Sequence, residues 1–477
     1  MAPTRNATED VLSLVIAKIG PDTSKNLCNL LAVSKGMQAA VVREGSNSNW
    51  TLKFHVKRSS DLARTARLAQ WLQKYHMLVY SLQYTYFAAE PVETADDHAV
   101  VLSLGLRHPL QLNSIKISGV CPLKLLLQLD AQKLTCLRVN NYKSASQGFF
   151  TALAAEIGRM TNLQHLEMRC DRSGDATITW NFPSSLTGLT SLLLGGRYQS
   201  SSLQHVSSSL QHFECEYFMD DENLGSMHHL VHLTSLCLDR PYVTGTALTA
   251  AAQHLSRLKS LTIYECLGEQ LQALRQMPQL QYLYAEVGDR DGPPLTAQDV
   301  VNIAYATSLT CLHLDIDDTE CATVDLSSLS TLVQLQELVF SGKHVVINTF
   351  GNHTLDCHLT QLRQLDLDML LHPQSLAQVL LATQLTSLHI SEGVQGLSDG
   401  IVLGMVANMH NLQKLYIRCR HHRRRLAQVS VMVQSWLPNL RYLALDGLRG
   451  KVEGPGLDEW LGQLQHSRPD LKVVVLD

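Results

Sequence analysis

The chain has little of what catalysis, secretion or membrane insertion would demand. Its eleven cysteines stand singly, at 28, 121, 136, 170, 215, 237, 266, 311, 321, 357 and 419, with no Cys-x-x-Cys pair among them. An odd number of scattered thiols fits a reducing compartment better than a disulfide framework. The expected location is therefore cytoplasmic, with a nuclear one open and a cytoskeletal or ciliary one as runner-up. A membrane span needs about 18 or more apolar residues, and no stretch approaches that. The first apolar run, Val11 to Ile19, contains Ser13 and Lys18 and follows Glu9 and Asp10, which suits neither a signal peptide nor an anchor. Charged residues make up only 17% and the formal net charge is -4, so there is no global pull towards nucleic acid or anionic lipid. A phosphate-binding Gly-rich Lys motif, a dinucleotide fingerprint and a nucleophile elbow are all missing.

What is present is a phrase, Leu-x-x-Leu-x-Leu with conservative swaps. It begins at Leu112, Leu134, Leu163, Leu189, Leu210, Leu233, Leu258, Leu280, Leu309, Leu335, Leu362, Leu385, Leu412, Leu440 and Leu471, at intervals of 21 to 31 residues. Such a period marks stacked structural units. In Leu163-Gln-His-Leu166-Glu-Met168 the later apolar residues alternate with polar ones, as a strand with one buried face requires. Helical spacing of apolar residues fills several intervals: Phe150 to Met160, Leu248 to Leu258, Gln298 to Ala306, Ile401 to Met409 and Leu426 to Leu437. The short intervals between Leu189 and Leu233 leave room only for loops.

These phrases resemble the leucine-rich-repeat family over roughly residues 110 to 477. The resemblance implies an α/β leucine-rich-repeat solenoid: a horseshoe with a parallel inner sheet and outer helices, capped by a small N-terminal helical segment. The family's ninth position usually carries Asn or Cys, and here only Cys266 matches; Val120, Asp171, Pro241, Gly288 and Arg420 stand elsewhere. Uneven turns are expected as a result. The expected organisation is capping helices over 1–55, a linker helix and degenerate first repeats over 56–109, and about 15 repeats over 110–477. A degenerate strand near Met77 to Gln83 opens the stack, and Trp50, Leu52 and Phe54 pack onto the cap.

The front end reads as three short helices, from Ala7 to Ile19, from Lys25 to Leu31 and from Val33 to Val42. Glu9 or Asp10, with Val11, Leu12, Ile16, Ile19, Leu27, Leu30, Leu31, Val33, Ser34 and Met37, give it a wording similar to an F-box. The usual Leu-Pro opening is replaced by Ala7-Thr8. The resemblance implies a substrate receptor of a Skp1-cullin ubiquitin ligase, with a Skp1-like adaptor held at Val11, Leu12, Ile16, Ile19, Leu27, Leu30 and Val33. A plain cap for the solenoid is the competing reading, since a hydrophobic stack end needs covering in any case.

The third, fifth and seventh positions of each phrase line the opposite, solvated side of the sheet. From the repeat at Leu210 to that at Leu362 these slots hold Glu214, Glu216, Asp239, Glu286, Asp315, Glu337, Asp366 and Asp368, with Tyr264, Tyr282 and Tyr284 among them and no Lys or Arg. An acidic, tyrosine-bearing surface suits a basic protein segment, because charge steers the approach and rings anchor it. Lys116, Arg138 and Arg169 precede the span; Lys414 and Arg418 follow it. One basic cluster, Arg418, Arg420, Arg423, Arg424 and Arg425, offers an alternative contact with phosphate or nucleic acid. His228, His229 and His232, and likewise His353, Cys357 and His358, lack a second ligand pair at familiar spacing. Cys136, Cys237 and Cys311 fall in solvated slots with no base assigned beside them. No catalytic, metal-binding or cofactor-binding residue is therefore assigned. The expectation is a non-enzymatic recognition protein, with a non-catalytic assembly scaffold as the alternative.

Overall fold

The computed structural model describes residues 50–56, 66, 68–70, 72–73, 79–86, 109–119, 123–141, 147–170, 182–196, 200–216, 219–239, 242–288, 295–316, 322–349, 358–390, 408–418, 437–446 and 456–476. The F-box-like positions between Glu9 and Met37, the arginines at 420 and 423–425, and nearly all of the helices expected over 401–409 and 426–437 lie outside them. The chain divides into two compact units, Met1–Phe218 and Met219–Asp477.

All fifteen leucine phrases deliver a strand that opens one or two residues after the first leucine. In the first unit the strands are β1 (Trp50–Val56), β2 (Val79–Tyr86), β3 (Ser114–Ser118), β4 (Cys136–Asn141), β5 (His165–Cys170), β6 (Ser191–Gly195) and β7 (His212–Glu216). Each pairs in parallel with the next. The degenerate strand expected near Met77 is β2. Trp50, Leu52 and Phe54 lie in β1, which joins the sheet beside β2; the helical cap expected to meet them lies outside the described residues. Alternating bulky residues from Trp50 to Val56 fit a strand as well as a packing patch, and the open edge of β2 supplies the partner.

The second unit contains β8 (Ser235–Asp239), β9 (Ser260–Cys266), β10 (Tyr282–Val287), β11 (Cys311–Ile316), β12 (Ala322–Asp325), β13 (Glu337–Thr349), β14 (Gln364–Leu371), β15 (Ser387–Ile390), β16 (Lys414–Arg418), β17 (Tyr442–Asp446) and β18 (Lys472–Leu476). Every pairing is again parallel. Parallel neighbours need a crossover between them, which the intervening helices and turns supply. The turns are uneven, but not only where the ninth position departs from the family: one irregularity falls in the repeat that carries Cys266. Glu265 takes φ 50°, next to a register shift between β9 and β10. β13 runs for 13 residues, and its far end pairs with the extra strand β12.

The first, fourth and sixth positions form the core, since burying them removes the most apolar surface from water. Leu309, Leu312 and Leu314 are wholly buried, as are Leu280, Leu283 and Ala285 before them and Leu335, Leu338 and Phe340 after. Register puts Leu283 beside Leu312, and Leu312 beside Leu338. Helices back this ladder at Gln147–Ile157, Gly245–Ala252 and Ala297–Ala304, close to three of the expected spans. The last is opened by a capping box, in which Thr296 N–H donates to Asp299 Oδ2 (2.8 Å) and Asp299 N–H to Thr296 Oγ1 (3.3 Å). Between Leu189 and Leu233 the backing thins to a 3-10 turn, Ser200–His205, and two helical pieces of five and four residues. Among the described residues no helix is long and apolar enough to cross a membrane.

Polar side chains stitch successive repeats at places the ninth position does not serve. Asn162, Asn411 and Asn439 stand immediately before the first leucine of their phrases and donate to carbonyls one repeat back: Gln132 O (2.7 Å), Thr383 O (3.0 Å) and His410 O (2.8 Å). Gln270, which is 1% exposed, bridges further into the fold. Its Nε2 donates to Val243 O (2.6 Å) and its Oε1 accepts from Leu267 N–H (3.2 Å). Replacing Gln270 with Leu strands both backbone groups, at about 1–3 kcal/mol for each group left unpaired in the interior. Chemical denaturation should show that loss; an unchanged midpoint would mean that water replaces the amide.

Candidate functional site

Each strand presents its third, fifth and seventh positions on the face opposite the leucine ladder, and burial alternates accordingly along β8, β10 and β11. The parallel register turns these positions into three rows that run across the sheet. In the second unit one row passes through Tyr282, Cys311 and Glu337, the next through Tyr284, His313 and Val339. The third passes through Glu286, Asp315, Ser341 and Asp368.

In the first unit the acids are balanced. Arg169, Gly195 and Glu216 are register neighbours on β5, β6 and β7. A Cβ on Gly195 would stand 2.7 Å from the Glu216 carboxylate and 3.1 Å from Arg169 Cγ. The bare glycine thus lets Arg169 Nη2 reach Glu216 Oε1 (3.1 Å) across an intervening strand. Arg169 and Arg138 also reach Glu167, at 3.1 and 3.5 Å. Glu214 lies on the same strand as Glu216, half-buried.

The second unit carries Asp239, Glu286, Asp315, Glu337, Asp366 and Asp368 on β8 to β14, with no Lys or Arg at the third, fifth or seventh positions of those phrases. Several of these carboxylates are held in place. Ser341 Oγ donates to Asp315 Oδ1 (2.7 Å), and His389 Nδ1 lies 2.6 Å from Asp366 Oδ1. The edge of His389 meets the Tyr416 ring, with centroids 3.8 Å apart. Tyr264 and Tyr284 lie with centroids 5.1 Å apart, and His313 continues the aromatic group 5.7 Å from Tyr282 and 6.4 Å from Tyr284. Burial, reinforced by the charges of Asp315 and Glu286, pushes the Tyr284 phenol up to about 12; burial pushes Tyr282 up too. Both rings therefore stay neutral hydrogen-bonding anchors at physiological pH.

Cys311 is the position where the sequence reading missed a neighbour. His313 sits two residues along the same strand, and its Nε2 is 3.3 Å from Cys311 Sγ and 3.2 Å from Glu337 Oε1. Burial, and the Glu337 carboxylate beside it, push the Cys311 thiol up to about 12. A sulfur that keeps its proton is a poor nucleophile. The signal available in the sequence was Cys311-Leu-His313, a Cys-x-His on one strand face; Glu337 becomes visible only with the cross-strand register.

Other expected groups do not converge. His228 and His229 turn their Nδ1 atoms to the Gly225 and Ser226 carbonyls, and His232 faces Arg257. Cys266, at the one matching ninth position, is fully buried and its thiol is pushed up by desolvation. Arg418 ends β16, in register with Asp446.

No family model and no curated protein sequence matches the chain. Among solved structures it is similar to an internalin from Listeria monocytogenes strain 4b F2365, at 18% identity over 75% of this chain and 94% of that one, with a TM-score of 0.46. An internalin C2 from the same strain aligns at 19% identity over 46% of this chain and 82% of that one, with a TM-score of 0.24. The chain's own fifteen registered strands and their leucine ladder make it an α/β leucine-rich-repeat solenoid.

Proposed function

We propose that the second unit is a protein-recognition module that takes a basic, extended protein segment across the solvent side of β8 to β14. One observation carries the reading: six carboxylates and a Tyr264–Tyr284 pair share a strand face whose third, fifth and seventh phrase positions hold no Lys or Arg. Carboxylates raise the local concentration of a cationic partner, while the tyrosine rings offer contact area at low entropic cost. The same charge repels phosphate backbones, which argues against nucleic acid at this face. No catalytic step is part of the proposal.

The test is selection of a displayed random-peptide library on the purified chain. Lys- and Arg-rich peptides are expected, binding more weakly as salt rises, since exposed charges are screened beyond a Debye length. Reversing Asp315 and Asp368 to Lys should shift the recovered peptides to acidic ones. Recovery of the same peptides by that variant would remove the proposal.

The receptor role in a ubiquitin ligase rests on the F-box wording of the first helices alone. It adds a contact between Leu12, Ile16 and Leu30 and a Skp1-like adaptor. Co-purification with the adaptor, lost when these three become charged, is its test; failure of the intact chain to bind would end it without touching the strand-face reading.

A further inference from the structure

We infer that Cys311, His313 and Glu337 form a three-ligand site for zinc, open to solvent on the face of β11 and β13. The sheet builds the site without help from any loop. Residues two apart on a strand share a face, which places Cys311 and His313 together. The register then sets Glu337 directly beside Cys311 on the neighbouring strand. The three ligand atoms, Sγ, Nε2 and a carboxylate oxygen, all lie within 4.8 Å of one another.

Cys311 Sγ at 3.3 Å and Glu337 Oε1 at 3.2 Å both address the same atom, His313 Nε2. In neutral imidazole that nitrogen either carries a proton or offers a lone pair. Without a metal it donates to the Glu337 carboxylate, which also accepts from the Cys311 thiol, so the same carboxylate draws both side chains towards one point. A cation between the three atoms satisfies all of them at once. Zinc bonds of about 2.3 Å to sulfur and about 2.0–2.2 Å to nitrogen and oxygen put tetrahedral ligands about 3.3–3.6 Å apart. The Sγ–Nε2 and Nε2–Oε1 separations of 3.3 and 3.2 Å already match that spacing to within a few tenths of an ångström.

The donor set chooses the metal. A thiolate with an imidazole and a carboxylate suits zinc, whereas magnesium and calcium take oxygen ligands. Zinc replaces the Cys311 proton, which leaves to solvent, and the resulting thiolate with Glu337 neutralises the ion. Side-chain exposures of 25% for His313 and 35% for Glu337 leave the fourth position open to water or to an incoming donor. The rings of Tyr282 and Tyr284 flank His313 and restrict its plane. The inference does not depend on what peptide the face binds.

The experiment uses the full chain, stripped by a chelator and titrated with cobalt(II) and then zinc against a competing chromophoric chelator. One cobalt per chain is expected, with a thiolate-to-cobalt charge-transfer band that zinc abolishes. Cys311→Ser should remove the band. His313→Ala and the near-isosteric Glu337→Gln should weaken zinc binding by more than the roughly 10-fold that even an outer-shell loss costs. Cys237→Ser, on the same face of β8, should leave stoichiometry and band unchanged. All four side chains lie on the solvated side, so circular dichroism should report an intact fold in each variant. Absence of the band in the wild type, or its survival in Cys311→Ser, would overturn the site.

Discussion

Leu312→Ala is expected to destabilise the second unit by about 2–5 kcal/mol, the range for truncating a fully buried leucine whose surroundings cannot collapse. Leu312 is wholly buried between Leu283 and Leu338. Its loss therefore opens a void in the middle of the ladder, with β10 and β13 held on either side by backbone pairing. Repeat stacks derive stability from intrinsic and nearest-neighbour terms, so hydrogen-exchange protection should fall first in β10, β11 and β13. Thr262→Ala, on the solvated side of β9, should stay within about 0.5 kcal/mol of the parent. Denaturant unfolding of both variants decides the matter. Equal midpoints would mean that the leucine phrase does not carry the fold.

Tyr284→Ala is expected to weaken the tightest peptide from the library by roughly 30-fold, corresponding to about 2 kcal/mol for a central aromatic anchor. Tyr284 touches Tyr264 on one side and His313 on the other, so truncation removes a wall from both neighbours as well as its own contact. Tyr305 is the matched control. It is half exposed, follows the Ala297–Ala304 helix and lies 5.1 Å from the Arg275 guanidinium. Tyr305→Ala should leave affinity unchanged in the same fluorescence titration. A loss there equal to that at Tyr284 would place binding on the helical side.

How far these features were legible in the sequence follows from the range of the interactions. The leucine phrase is local, so its strands, its buried first, fourth and sixth positions and its solvated slots could be read directly. The β2 strand could be read for the same reason. Pairings between repeats could not. His313 and Glu337 are 24 residues apart, as two numbers in a chain with 21 histidines. Only the register Cys311↔Glu337 brings them together. Gly195 sits in β6 and clears the path between Arg169 and Glu216, a role that only the register of β5, β6 and β7 reveals. That pairing separates the balanced acids of the first unit from the six of the second. The β12 strand was invisible because its partner lies in the overlong end of β13, past the phrase that marks the repeat.

The central claim is that the strand face of the second unit, and not its helical side, meets the protein partner. Carbodiimide labelling of carboxylates, read by mass spectrometry with and without the selected basic peptide, tests it directly. Bound peptide should protect Glu286, Asp315 and Asp368 and leave the exposed Glu222 and Glu269, in the helical connections, fully reactive. Protection of Glu222 and Glu269 with the strand-face acids still labelled would contradict the account.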